Sequence, residues 1–245
     1  MGTCRGQEKG FRMVKTKNKV KAGQMIFAVL YIFLFPALLL LLSGDWLWPE
    51  GWIWNIWFLS LCSSVIFYLY RKDPNLLAER FKKPGTGNQK KWDRYFVVGL
   101  VAAFWAWMVL MPLDAKRYGW TWIFPFWVKA LGGFGLLAAS FFLYRAYTDN
   151  TFLSPLVRIQ KERKQKVVST GVYGLVRHPM YLGAVWMFIG TPFLLGSFFG
   201  FLLGLGMSFL IAGRILGEEK MLAHDLIGYS AYQKKVKYRL IPYLW

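Results

Sequence analysis

The sequence predicts an all-α, polytopic integral membrane protein with about six transmembrane helices, the last two forming a helical hairpin. Three observations carry that expectation. The 245 residues are 56% apolar and 19% aromatic, with a positive mean hydropathy of +0.33. The apolar residues gather in runs close to the ~20 residues that a spanning helix needs. The net charge of +19 falls mainly in alternate connections between those runs, as the positive-inside rule requires.

The runs are 23–42, 51–70, 95–113, 121–144, 180–195 and 198–216. Trp46, Trp48, Trp52, Trp54, Trp120, Trp122 and Trp127 cluster at their ends, where amphipathic rings sit at headgroup level. Seven Lys/Arg precede the first run, eight lie in 71–94, seven in 145–177 and six from Arg214 onward. Residues 43–50 hold none, 114–120 hold two, and the turn at 196–197 holds none. Six spans with both termini cytoplasmic satisfy this alternation; five would break it.

The first run starts too late and continues too long for a cleavable signal peptide. The start Met1–Gly6 places Gly6 where a myristoylation signal wants Ser or Thr, so no lipid anchor is expected. Lys15–Lys21 reads as a short basic arm, most simply an orientation signal, with attraction to anionic lipid as a secondary role. Three regions follow: a cytoplasmic arm at 1–22, a four-helix transmembrane region at 23–145, and a core at 146–245 with the hairpin and a cytoplasmic tail. Cys4 and Cys62 provide neither a disulfide framework nor metal-ligand spacing. The basic residues lie between apolar runs and not on one amphipathic face, which argues against nucleic acid as a partner.

The last two runs leave only 37 residues, 180–216, for two helices and a turn. Each is then ~25 Å long at 1.5 Å per residue. Thr191-Pro192 and Gly196 suit a kink and a tight turn. Gly200, Gly204 and Gly206 would let backbones approach closely. A hairpin returns both its ends to one face, so Arg177–Tyr181 and Arg214–Glu219 are expected to meet.

Those two segments hold the candidate chemistry. Pro179 pre-sets helical φ just after His178, and a helix starting there aims free N–H groups and a positive dipole end at an anion. Arg177 and His178 add donors, or simply mark the inner face. Arg214 and Glu218 stand four apart on one helix face, as a surface ion pair or as a binding pair. In the second case Glu218 accepts from hydroxyls or an amine and Arg214 orients an acidic group. His224 beside Asp225 is a possible base, although a solvated helix face explains it better.

The run Gln165-Lys166-Val167-Val168-Ser169-Thr170-Gly171-Val172-Tyr173, then Arg177-His178-Pro179-Met180-Tyr181-Leu182-Gly183, then Arg214-x-x-x-Glu218-Glu219 resembles the isoprenylcysteine carboxyl methyltransferase family. Phospholipid N-methyltransferases and small-thiol S-methyltransferases share much of it. The resemblance covers roughly 150–245 and closes with Tyr229-x-x-Tyr232 and Arg239-Leu240-Ile241-Pro242. Ile227-Gly228-Tyr229 departs from the family's usual Phe-Gly-x-x-Tyr, and the N-terminal half carries no matching motif.

The resemblance implies a membrane-embedded site for S-adenosylmethionine near the cytoplasmic face, without a dinucleotide fold and without a metal. Its cofactor contacts fall on Gln165, Lys166, Val167, Val168, Tyr173, His178, Pro179, Met180, Tyr181 and Glu218. Arg214 becomes the acceptor-orienting arginine, and Arg214 and Glu218 the catalytic pair. The implied partners are the bilayer and a lipophilic small-molecule or lipidated acceptor, with an isoprenylcysteine-type carboxylate as archetype. A phospholipid amine and a small thiol are the alternative acceptors. An NADPH-dependent reductase, and a non-catalytic scaffold or transporter, are the rival classes. No ionisable group except Lys129 lies inside the spans away from the Arg214 mouth, which disfavours a transporter.

Overall fold

The structure, a computed structural model, describes residues 22–245. The Met1–Gly6 start, Cys4 and the Lys15–Lys21 arm lie outside the described residues. The described chain is helical, with α1 Ala22–Ser43, α2 Pro49–Lys72, α3 Pro74–Arg80, α4 Lys91–Pro112, α5 Phe126–Asp149, α6 Pro179–Leu195, α7 Phe198–Asp225 and α8 Tyr229–Lys235. Every expected apolar run contains a helix, although residues 121–125 of the fourth run precede α5. Five helices are long and apolar enough to cross a membrane, with α4 carried on to Arg117 by a π-helical turn; α6, at 17 residues, is shorter. The expected region boundary at 145/146 falls inside α5, which continues to Asp149.

Neighbour packing closes a circuit: α1 on α2, α2 on α5, α5 on α6, α6 on α7, α7 on α4 and α4 back on α1. Helix α6 also touches α2 and α4, so it runs through the middle. Ten of its 17 residues are buried, against five of 24 in α5. A helix that is apolar all round suits that interior place.

The tightest seam is α5 on α6, and small residues make it possible. Helix α5 presents Gly132, Gly135, Ala139 and Ala146 on its buried face. A side chain at Gly132 would strike the α6 backbone at Gly190 and Leu194; one at Gly190 would meet the Gly132 carbonyl at 2.9 Å. Where lipid offers no hydrophobic drive, such backbone-close packing drives helix association. Gly204 fits the same description against the Phe188 backbone, whereas Gly200 faces the side chains of Met111 on α4 and of Ser197, and Gly206 meets nothing. Of the three glycines expected to bring backbones together, only Gly204 does so.

The hairpin turns at Gly196, whose φ of +81° is the left-handed conformation glycine favours at a helix end. Two of the expected headgroup tryptophans are core residues. Trp48 and Trp54 are 3% and 1% exposed. Trp54 donates to Thr191 Oγ1 at 3.2 Å, Trp57 to Leu136 O and Ser140 Oγ, and Trp107 to Gly200 O. Each indole N–H staples two helices where water cannot serve it. Sequence proximity to a run's end had placed Trp48 and Trp54 outside; packing partners on α1 and α6 decide otherwise.

Candidate active site

Pro179 opens α6, with His178 before it making no side-chain cap. The amides of Met180 and Tyr181, in the first turn, lack intrahelical acceptors. The C-terminal tail fixes this helix start from behind. The Arg177 and His178 amides donate to Tyr238 O and Arg239 O, both at 2.9 Å. The Arg177 guanidinium donates to Val236 O at 2.7 Å and Lys237 O at 2.9 Å.

Helix α7 returns beside this point, and its adjacent acids divide. Glu219 is 4% exposed. It accepts from Arg177 Nε at 2.6 Å and Arg239 Nε at 2.8 Å, and lies 3.2 Å from His178 Nε2. Glu218, about 100° around the helix, accepts from the Tyr181 hydroxyl at 2.7 Å and lines a cleft. The two expected segments therefore meet, through Arg177–Glu219 and Tyr181–Glu218. The expected Arg214–Glu218 partnership does not form. Arg214 donates instead to Asp93 Oδ1 at 2.9 Å and Pro155 O at 2.8 Å. Its guanidinium lies between the rings of Tyr181 and Phe96, 5.7 Å from each. It stands behind Tyr181 and outside the cleft wall.

The cleft encloses about 760 Å³ of empty space, its open mouth included. Gln165, Lys166, Val167, Val168, Tyr173, His178, Pro179, Met180, Tyr181 and Glu218 all line it.

The opposite wall is the connection 150–168, and charge braces it. Arg158 grips Glu79 of α3 bidentately, at 2.8 and 3.0 Å, and also pairs with Glu162. Burial alone would raise both carboxyls. The Arg158 hydrogen bonds outweigh it, holding Glu79 below the usual range and Glu162 at about 2. Asp93, fully buried, holds the same wall by accepting from Val157 N at 2.8 Å while it neutralises Arg214.

The tyrosines furnish neutral donors. Burial pushes the Tyr173, Tyr229 and Tyr232 phenols up, with Glu219 reinforcing the effect at Tyr229. Tyr232 donates to Tyr173 O at 2.6 Å and Tyr173 to Ala146 O at 3.3 Å. Tyr229 lines the cleft, and its hydroxyl is buried without a hydrogen-bond partner. An orphaned buried hydroxyl is costly, and a ligand would satisfy it.

His224 is exposed and paired with Asp225 at 2.6 Å, away from the cleft. Among the described residues no cluster of His, Cys, Asp or Glu could hold a metal. Asp93, Glu79 and Arg158 were missed from sequence. Asp93 had a faint signal, as a lone acid among Lys90, Lys91 and Arg94 at a helix start. Arg158 and Glu79, 79 residues apart, had none.

Comparisons with known proteins follow this geometry. Residues 127–226 match the family model described as phospholipid methyltransferase. A 92-residue stretch is 35% identical to the protein-S-isoprenylcysteine O-methyltransferase of Saccharomyces cerevisiae, covering 37% of this chain and 38% of that protein. The enzyme of the same name from Schizosaccharomyces pombe is 27% identical over 199 residues, covering 73% of this chain and 78% of that one. A solved eukaryotic intramembrane Ras methyltransferase superposes with a TM-score of 0.50 at 20% identity, over 89% of this chain and 75% of that one. That likeness shows the fold, an integral-membrane helical one.

Proposed function

We propose that this chain, a relative of the isoprenylcysteine carboxyl methyltransferases in sequence and fold, is a membrane methyltransferase that uses S-adenosylmethionine and methylates a lipophilic acceptor. The acceptor it suits best is an isoprenylcysteine-type carboxylate. One observation carries the reading: ten residues assigned to the cofactor from three separate segments line a single cleft, whose one orphaned hydroxyl belongs to Tyr229.

The residues present fit the group. Glu218 spends one oxygen on Tyr181, and its other oxygen is available to ribose hydroxyls or an ammonium. The Met180 and Tyr181 amides, with Lys166, suit a carboxylate. Val167, Val168, Met221 and Leu222 offer apolar walls to a flat base. When bound, S-adenosylmethionine supplies a methyl group on a sulfonium, which departs as a neutral thioether. The protein then needs only to exclude water and hold the reactants in line; a carboxylate acceptor requires no base. Arg214, positioned by Asp93, keeps Nη1 free of protein partners among the described residues, a donor for an acidic acceptor. The surrounding helices then serve as lateral access from the bilayer, with both termini cytoplasmic and the arm 1–22, the transmembrane region 23–145 and the core 146–245 as working regions.

The family model's own description favours a second acceptor, a phospholipid amine, which would have to arrive deprotonated. Calorimetry of S-adenosylmethionine with purified wild type and Glu218→Gln tests the cofactor. Binding weakened at least tenfold in a folded variant supports it. Labelled methyl transfer into a prenylcysteine acid, a phospholipid or a thiol identifies the acceptor. No incorporation into any of the three sinks the proposal.

A further inference from the structure

A second cavity shares no lining residue with the cleft at Glu218. It is a groove of about 1160 Å³, open space included, walled by α1, α2, α3 and α5 with Met187 of α6. Its apolar lining includes Phe27, Tyr31, Phe58, Cys62, Ile66 and Leu143. At the α3 end sits Arg80, the one charged residue in the lining. Its guanidinium lies 5.2 Å from the centre of the Tyr147 ring, and its Nη1 is sealed from solvent without a hydrogen-bond partner. No carboxylate among the described residues pairs with it.

A long apolar trough ending in an unmatched cation has the shape and charge of an amphiphile with an acidic head. Helix α3 leaves α2 at its Arg71–Lys72 end, where a spanning helix meets the headgroup layer and where basic residues favour anionic lipid. The chain's own first 21 residues are poor candidates for the groove, with seven Lys/Arg against Glu8 as their only acid.

We propose that this groove seats one acyl chain of a membrane phospholipid whose anionic headgroup pairs with Arg80. The phosphate pairs with the Arg80 guanidinium, which no carboxylate among the described residues neutralises, and the chain runs along α2 past Ile66 and Cys62 into the bilayer. The site is separate from the cleft at Glu218 and independent of the activity proposed there.

Native mass spectrometry of the detergent-purified full chain tests it, using phosphatidylglycerol and a diacylglycerol with identical chains, of which only the first carries a phosphate. Wild type should retain the anionic lipid about tenfold better, as one charge-assisted hydrogen bond implies. Arg80→Gln should abolish that preference while still retaining lipid, and Cys62→Phe, which fills the trough, should lose both lipids. Unchanged thermal unfolding of Arg80→Gln establishes that the fold persists. Equal retention of the two lipids by wild type overturns the proposal. A preference that survives Arg80→Gln also overturns it, and so does full retention by Cys62→Phe. Retention of neither lipid by wild type overturns it in favour of a groove filled by the chain itself.

Discussion

The two ends of the helical bundle handle buried polar groups in opposite ways. At the hairpin end, fully buried Asp114 is saturated: its Oδ2 accepts from Ser197 Oγ at 2.6 Å and Phe199 N at 3.2 Å, and both oxygens accept from Thr121. Nothing is left for a ligand, and the cluster simply closes the turn between α6 and α7. At the other end Glu219 is saturated in the same manner, yet Glu218 beside it holds a single donor and Tyr229 holds none. Buried polar groups with every valence met are architecture. Valences left over beside a cleft mark the place where something else binds.

Breaking the saturated acid at the site end should have the largest effect. Arg177→Met leaves Glu219 short of its closest partner and cuts two bonds to the tail, so it should cost about 3–5 kcal/mol, read as a large fall in thermal unfolding temperature. If the variant unfolds as wild type does, Glu219 is not structural and the contrast fails.

Asp114→Asn at the hairpin end should cost less, about 1–3 kcal/mol, because Ser197 and Thr121 can still donate to the amide oxygen. S-adenosylmethionine affinity should not change in this variant; a loss comparable to that of Glu218→Gln would mean that the two ends are coupled. Glu218→Gln sharpens the contrast from the other side. Its unfolding should stay within about 0.5 kcal/mol of wild type while ligand binding falls, and a variant that is unstable but still binds would reverse the assignment of the two acids.

The smallest effect belongs to the Arg158 brace. Glu162 is depressed from its ordinary 4.5 to about 2, and Glu79 is shifted in the same direction. Carboxyls with lowered folded-state pKa contribute stability that is fully present above 4.5 and lost as the pH falls toward 2. Protection against hydrogen exchange in 150–168, taken relative to each amide's intrinsic rate at that pH, should therefore fall across that window before α5–α7 respond. Protection that stays constant there would show that Arg158 does not hold the wall.

Much of the fold was legible because a membrane imposes long apolar runs and sorts charge between connections. The helices follow the runs closely, and Gly196 and Gly204 sit where a close hairpin needs them. Trp48 and Trp54 misled because an indole at a run's end suits a headgroup layer and an interhelical staple equally well. At the site, the Pro179 helix start and the α7 acids were visible in sequence as chemistry crowded at the edge of a run. The seam of Gly132 and Gly190 was not, since each glycine is informative only once its partner is known.

Helical character, the spanning length of the apolar runs and the short segments that concentrate donors and acceptors can all be read from residue order. Local patterns suffice for those properties. The partner each charge takes follows from packing. Arg214 turned from Glu218, four residues away, to Asp93, and Glu219 collected Arg177, His178 and Arg239 while Glu218 was left facing the cleft. In a medium that pays heavily for an unpaired charge, the pairing is set by which helices pack together, and sequence separation has no part in it.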